Sequence, residues 1–314
     1  SAPRSIRVRV HTPFAILPNQ QHIMLLRSSV ESTMSPFQSM SLGATSSCSF
    51  EMGLTMQMVR GGLIALCVGL APVVGVSCMA SEVEHELGGK TAREVFADTS
   101  LASLAVAACS GHSDEVRRLA HAGVPVDAQG LEGMTPLIWA ELCGNRDGVR
   151  ALLAAGANPN GVTPSLHPVL VAINRSSPQI LEVLLDHGGN PNAALPDTTW
   201  TALESAFSRA LEDGDWTSYE VLLSSGADIN RRYGGITIAE SAAVLNVWDK
   251  VAALLERGYN RDLDRLGAIA EHADPAIMSA EQLRWRDSVR ASLEQRGVRF
   301  PVPSEAMVTP PDDE

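Results

Sequence analysis

Between Ala102 and Phe300 one phrase returns about every 33 residues, and that recurrence constrains the fold more than any other feature of the chain. Its clearest copy runs Thr135-Pro136-Leu137-Ile138-Trp139-Ala140-Glu141-Leu142-Cys143-Gly144-Asn145, continues through Val149-Arg150-Ala151-Leu152-Leu153, and closes on Gly156-Ala157-Asn158-Pro159-Asn160. The copies register on a glycine that ends each second helix: Gly123, Gly156, Gly188, Gly226, Gly258 and, degenerately, Gly297. The spacings are 33, 32, 38, 32 and 39, so two units carry insertions. A unit of this size is one supersecondary element that cannot bury its apolar face alone, so the copies must stack.

Within each unit the first helix is short and rich in small residues: Leu104 to Cys109, Leu137 to Leu142, Val169 to Asn174. Pro136 and Pro168 suit a first helical turn, where proline loses no needed donor and brings a preset torsion. The second helix carries the larger apolar load, as in Val149 with Leu152 and Leu153, or Val221 with Leu222 and Leu223. Those positions fall on one helical face and build a single elongated core when stacked. The closing glycine predicts a left-handed helix stop that any side chain would strain. About four extra residues around Ser208 to Asp213 predict a longer first helix in the fourth unit. Leu266 to His272 and Glu281 to Arg296 read as a diverged, charged C-terminal cap, and Ala92 to Phe96 as part of an N-terminal one.

These motifs closely resemble the ankyrin repeat, whose pattern is Thr-Pro-Leu-His, Ala-Ala, Gly-His, Val-Val, Leu-Leu and Gly-Ala-Asp-Val-Asn. The resemblance covers roughly 200 residues. It implies an all-α ankyrin-repeat solenoid of about six helix-turn-helix units with short hairpin-like turns, over residues 90–300. It also implies non-catalytic protein binding through the turn tips and the first-helix face. On that template the tips are Gln129 to Gly133, Gly161 to Ser165, Leu195 to Thr199, Arg231 to Gly235 and Asp262 to Arg265. Arg231, Arg232 and Tyr233 are the most pointed partner-binding candidates, since arginine and tyrosine are favoured interface anchors. Trp139 stands at a first-helix position that looks into the groove, with packing between repeats as its alternative. Trp216 and Trp248 begin consecutive second helices, either as an aromatic ridge or as a cover for the edge of the core.

Upstream, Gly61 to Ala80 holds no charge, Arg60 precedes it, and small residues follow at Ser77-Cys78-Met79-Ala80. Residues 56–80 therefore read as a secretory signal, cleaved after Ala80 or lipidated at Cys78, and place the array in the bacterial periplasm. The alternative is a cytoplasmic array, should that stretch be no signal. Residues 1–55, with nine serines between Ser28 and Ser49, read as a disordered extension, consistent with a natural start at Met52, Met56 or Met58. Residues 301–314, with four prolines and three terminal acids, read as a disordered tail.

The chain carries a net charge of −12, and residues 1–60 hold five arginines and two acids, so the remainder carries −15. Phosphate backbones would be repelled, which excludes nucleic acid and favours a basic protein partner. A membrane role is expected only through the signal or lipid anchor, and the array itself as a monomer before binding. No histidine pair at zinc spacing, phosphate loop, nucleophile elbow or Cys-x-x-Cys pair occurs, so no catalytic residue, cofactor or metal is expected. His112 occupies the repeat's own Gly-His position and reads as a turn residue. Cys109 and Cys143 lie in neighbouring units, where a bridge is one reading and buried small hydrophobes the commoner one. Joined to export, the resemblance implies a sharper role. Arrays of this look serve as immunity proteins that cover a cognate periplasm-acting toxin, such as a type VI secretion lipase effector. An envelope enzyme or general scaffold partner is the alternative.

Overall fold

A computed structural model describes residues 86–87, 89–163, 166–194, 200–303 and 306. They fall into two compact units: one contributes only Leu87 and Gly89 to the described residues, and the other holds Glu86 and everything from Lys90 onward. The signal segment, Cys78 and the N-terminal extension lie outside the described residues, as do residues 195–199 and 307–314.

The second unit is a stack of helix pairs. A single turn, α1 (Ala92–Val95), precedes the pairs α2 (Thr99–Cys109) and α3 (Ser113–His121), then α4 (Pro136–Leu142) and α5 (Arg146–Ala154). Next come α6 (Pro168–Asn174) with α7 (Pro178–Asp186), and α8 (Ala202–Asp213) with α9 (Thr217–Ser224). A two-residue hairpin, β1 (Arg232–Tyr233) and β2 (Ile236–Thr237), leads into α10 (Ile238–Val244) and α11 (Trp248–Glu256). The last pair is α12 (Leu263–His272) and α13 (Ala280–Gln295). The first helices pack in series from α2 through α4 and α6 to α8, and α10 packs on α12, making six units with the caps included.

Local chemistry sets the boundaries. Asp98 accepts the Leu101 amide at the start of α2, Thr135 accepts that of Ile138 before Pro136, and Asn145 accepts that of Gly148. Reciprocal capping boxes open α8 (Thr201 with Glu204), α10 (Thr237 with Glu240) and α13 (Ser279 with Gln282). The six registering glycines stand at φ between 85° and 99°, as the left-handed stop requires. The first helix of the fourth unit runs 12 residues against 7 in the second, third and fifth, which accommodates the insertion. Leu104, Leu137, Leu152, Leu181, Leu184, Leu222 and Leu254 are fully buried and form the continuous core.

Beyond each closing glycine a ladder of side-chain oxygens ties one unit to the next. The Asn158 amide donates to Asp127 (3.0 Å), that of Asn190 to Asn160 (2.7 Å), that of Asp228 to Asn192 (2.7 Å), and that of Asn260 to Asn230 (3.0 Å). Within a unit the rung closes on itself, with the amides of Asn160, Asn192 and Asn230 donating to Asn158, Asn190 and Asp228. At the C-terminal end the Val302 amide donates to Glu271, and Val302 is buried with Val298 against Gly267. Packed chain therefore runs two residues into the segment read as a tail.

Replacing Asn160 by alanine removes its acceptor for Asn190 and its donor to the Gly188 carbonyl. A loss of about 1–3 kcal/mol in urea denaturation is expected. An unchanged midpoint would show that the ladder adds nothing.

Candidate protein-interaction surface

The tips are built by backbone closure. In the first, the Gly130 amide donates to the Met134 carbonyl (2.7 Å) around a 3-10 turn, Leu131–Gly133, and Glu132 adopts φ 56°. The second is closed by a bridge between Thr163 and Leu166. The two tips touch: a Cβ added to Gly133 would lie 2.9 Å from Thr163 Cγ2. Each presents an apolar side chain to solvent, Leu131 at 49% exposure and Val162 at 37%. The third tip, Leu195 to Thr199, lies outside the described residues, as do Pro164 and Ser165 of the second. The fourth is the β1–β2 hairpin, turned by Gly234 and Gly235, both at positive φ, the torsions a two-residue hairpin loop demands. No fifth tip of this kind forms, because Leu263 to Arg265 already belong to the first turn of α12.

The partner-binding candidates divide sharply. Trp139 is 0% exposed. Its register is the expected one, since Val106, Val171, Ser205 and Ser241 at the equivalent positions are half-exposed. The N-terminal segment closes over it: the Phe96 ring stands edge-on at 5.9 Å, and a Cβ on Gly130 would lie 2.5 Å from the Val95 carbonyl. The groove reading of Trp139 is thus replaced by packing. Trp248 is also fully buried, with its indole N–H on Asn246 (3.2 Å). Trp216 is half-buried, edge-on to Phe207 and Tyr219 at 5.5 Å each, under the Lys250 ammonium 4.6 Å from its centroid. It covers the edge of the core and forms no ridge with Trp248.

The Arg232 side chain is buried and ion-paired with Asp262 of the following unit, so it serves the junction between repeats. Around it, Arg265 donates to the Gly235 carbonyl (3.0 Å) and sits 3.3 Å from the Glu240 carboxylate, while Tyr259 and Thr237 share a hydrogen bond of 2.8 Å. Burial pushes the Glu240 carboxyl up, against the pull of the Thr237 amide and Arg265. Arg231 is half-buried, close enough to Glu204 to bear on its carboxyl. The Tyr233 backbone lies in β1; its side chain is outside the described residues. Among the described residues no group of three His, Cys, Asp or Glu could hold a metal ion.

One feature follows the less favoured of two sequence readings, and a second stands outside them. Cys109 and Cys143 form a disulfide with their Cα atoms 5.4 Å apart, where buried free thiols were the commoner expectation. The offset of one register position, Cys143 matching Ser110, brings the ends of α2 and α4 face to face. Glu141, two residues before Cys143, is wholly buried, and among the described residues neither carboxylate oxygen finds a hydrogen-bond partner. Desolvation pushes its carboxyl well above the usual carboxylate range. Ala108, Ile173 and Ala243 occupy the equivalent positions, so the repeat register itself marks Glu141 as out of place.

Residues 85–163 match the family model described as ankyrin repeats (3 copies). The fold is an ankyrin-repeat array. A putative ankyrin repeat protein of fowlpox virus (strain NVSL), FPV240, is 29% identical over 126 residues, or 40% of this chain and 30% of that protein. The match thus spans less than a third of that relative's own length. The crystal structure of the human ASB11 ankyrin repeat domain aligns at 24% identity and a TM-score of 0.42, covering 63% of this chain and 85% of that one.

The ankyrin array makes two of its junction residues testable. Burial raises the folded Glu141 carboxyl above its unfolded value of 4.5, so this group subtracts stability as pH rises past that value, until the folded carboxyl itself ionises. Glu141→Met, close in volume and apolar, should stabilise the array by about 1–3 kcal/mol at neutral pH and remove that part of the pH slope. Equal or lower stability of the variant in urea titrations at acid and neutral pH would contradict this. Arg232→Ala removes the closer of the two cations on Asp262, leaving Arg261 at 3.6 Å, and should cost about 1–3 kcal/mol in the same assay. A cost near zero would free Arg232 for the partner-binding role.

Proposed function

We propose that this chain is a non-catalytic protein-binding array that works outside the cytosol and docks a basic partner on its hairpin tips. The observation that carries the compartment is the Cys109–Cys143 bridge, because such bridges persist in oxidising surroundings. It is independent of the uncharged stretch Gly61 to Ala80 and agrees with it. Docking is supported by Leu131 and Val162, exposed on two touching tips of an otherwise acidic chain. Apolar anchors within a charged surround suit a specific partner, and the charge speeds encounter with a basic one.

The finer role we propose is neutralisation of a cognate toxin that acts in the same compartment, such as a type VI lipase effector, by covering its active-site entrance. It rests on the resemblance joined to export. A general scaffold or adaptor for another protein is the alternative.

Capture from the native envelope with the full chain and with a Leu131→Ser, Val162→Ser variant tests the reading. The wild-type array should retain a basic protein, and the variant should lose it by about tenfold or more while keeping its helical signal. Deletion of the protein should then expose cells to that partner's toxicity. Capture that ignores both tip residues and salt would contradict tip docking, and unharmed cells beside an active neighbouring toxin would contradict the immunity role.

A further inference from the structure

We propose that the Cys109–Cys143 bridge is a reducible latch that holds the first repeat, α2 and α3, over the buried carboxyl of Glu141, and that opening it releases that repeat alone. The inference goes beyond partner binding and does not depend on it.

The bridge crosses one junction, from the last residue of α2 to the residue that caps α4. Cys109 is buried and Cys143 half-buried, so Cys143 is the more open of the two to an external thiolate. The same junction is crowded: a Cβ on Gly148 would lie 1.8 Å from the Ala108 carbonyl, and the Asn145 side chain donates to the Cys109 carbonyl (3.1 Å). All seven residues of α4 are buried, Glu141 among them. An unpartnered carboxyl there opposes closure, because burial without a hydrogen bond is costly and because ionisation requires opening. In a nearest-neighbour stack an end repeat opens without the rest.

Among the described residues no charged group compensates Glu141. Helices α2 and α6, which flank α4, carry none, and burial disfavours the charged form of His167 at the start of α6. On α5, Arg150 pairs with Asp147 and Arg146 is exposed; on α1, Arg93 and Glu94 are exposed. The chemistry of opening is thiol–disulfide exchange with a dithiol. One thiolate attacks Cys143 Sγ, the S–S bond breaks, and Cys109 leaves as a thiolate and takes up a proton. The second thiol of the reagent then displaces Cys143 and closes the reagent's own disulfide, so two electrons and two protons pass to the bridge.

Hydrogen exchange of the full chain, with and without dithiothreitol, tests this at about pH 6 and pH 8, with intrinsic rates corrected. Reduction should raise exchange in residues 99–121 by about tenfold or more, further at the higher pH, and leave residues 202–256 unchanged. Cys143→Ser without reductant should behave like the reduced protein, and Glu141→Met should suppress both the opening and its pH dependence. No change on reduction, a uniform rise through the array, or opening that Glu141→Met leaves intact would overturn the latch.

Discussion

Four junctions in this molecule are closed by the same bond, a backbone amide two residues past one closing glycine donated to a side-chain oxygen four residues past the glycine before it. Asp127, Asn160, Asn192 and Asn230 are the acceptors. The glycine makes the bond possible, since only a left-handed turn at that point swings the chain into the path of the next unit. Asn and Asp are needed because their short side chains accept from the backbone while the chain turns. Because each rung also fixes the next one, the helices behind them stack in one register, and the buried leucines meet in a continuous core.

At both ends of the array the repeated pattern gives way to particular side chains. Near the N-terminus a disulfide, a crowded glycine and an unpartnered carboxyl share one junction. Near the C-terminus Arg232, Asp262, Arg265 and Glu240 make a buried ionic cluster under the last hairpin, and Arg296 donates to the Leu255 and Tyr259 carbonyls. Departures from a repeat's own rules mark places where something other than folding has shaped the sequence. The N-terminal one is the sharper, because a buried carboxyl with no counter-charge weakens the contact that the bridge strengthens.

The helix pairs, their closing glycines, the long α8 and the capping pair α12–α13 were legible in the sequence, because periodicity and turn chemistry are local signals. Contacts between chain segments far apart were not. Trp139 stood in the expected register, yet Phe96 from the N-terminal segment covers it, and a repeat template has no place for that contact. Arg232 looked like an interface anchor until Asp262, a unit later, took its charge. The Cys109–Cys143 bridge depends on a one-residue offset between neighbouring units, which only their actual stacking decides. Glu141 could have been found by alignment of the repeats alone, since its counterparts are alanine, isoleucine and phenylalanine.

Compartment and latch both depend on the two sulfurs being joined in the living cell. Rapid alkylation of intact cells, followed by peptide mapping without reductant, reads this directly. The account predicts one linked peptide pair containing Cys109 and Cys143 in the protein from its native source. Both cysteines recovered singly alkylated would contradict it.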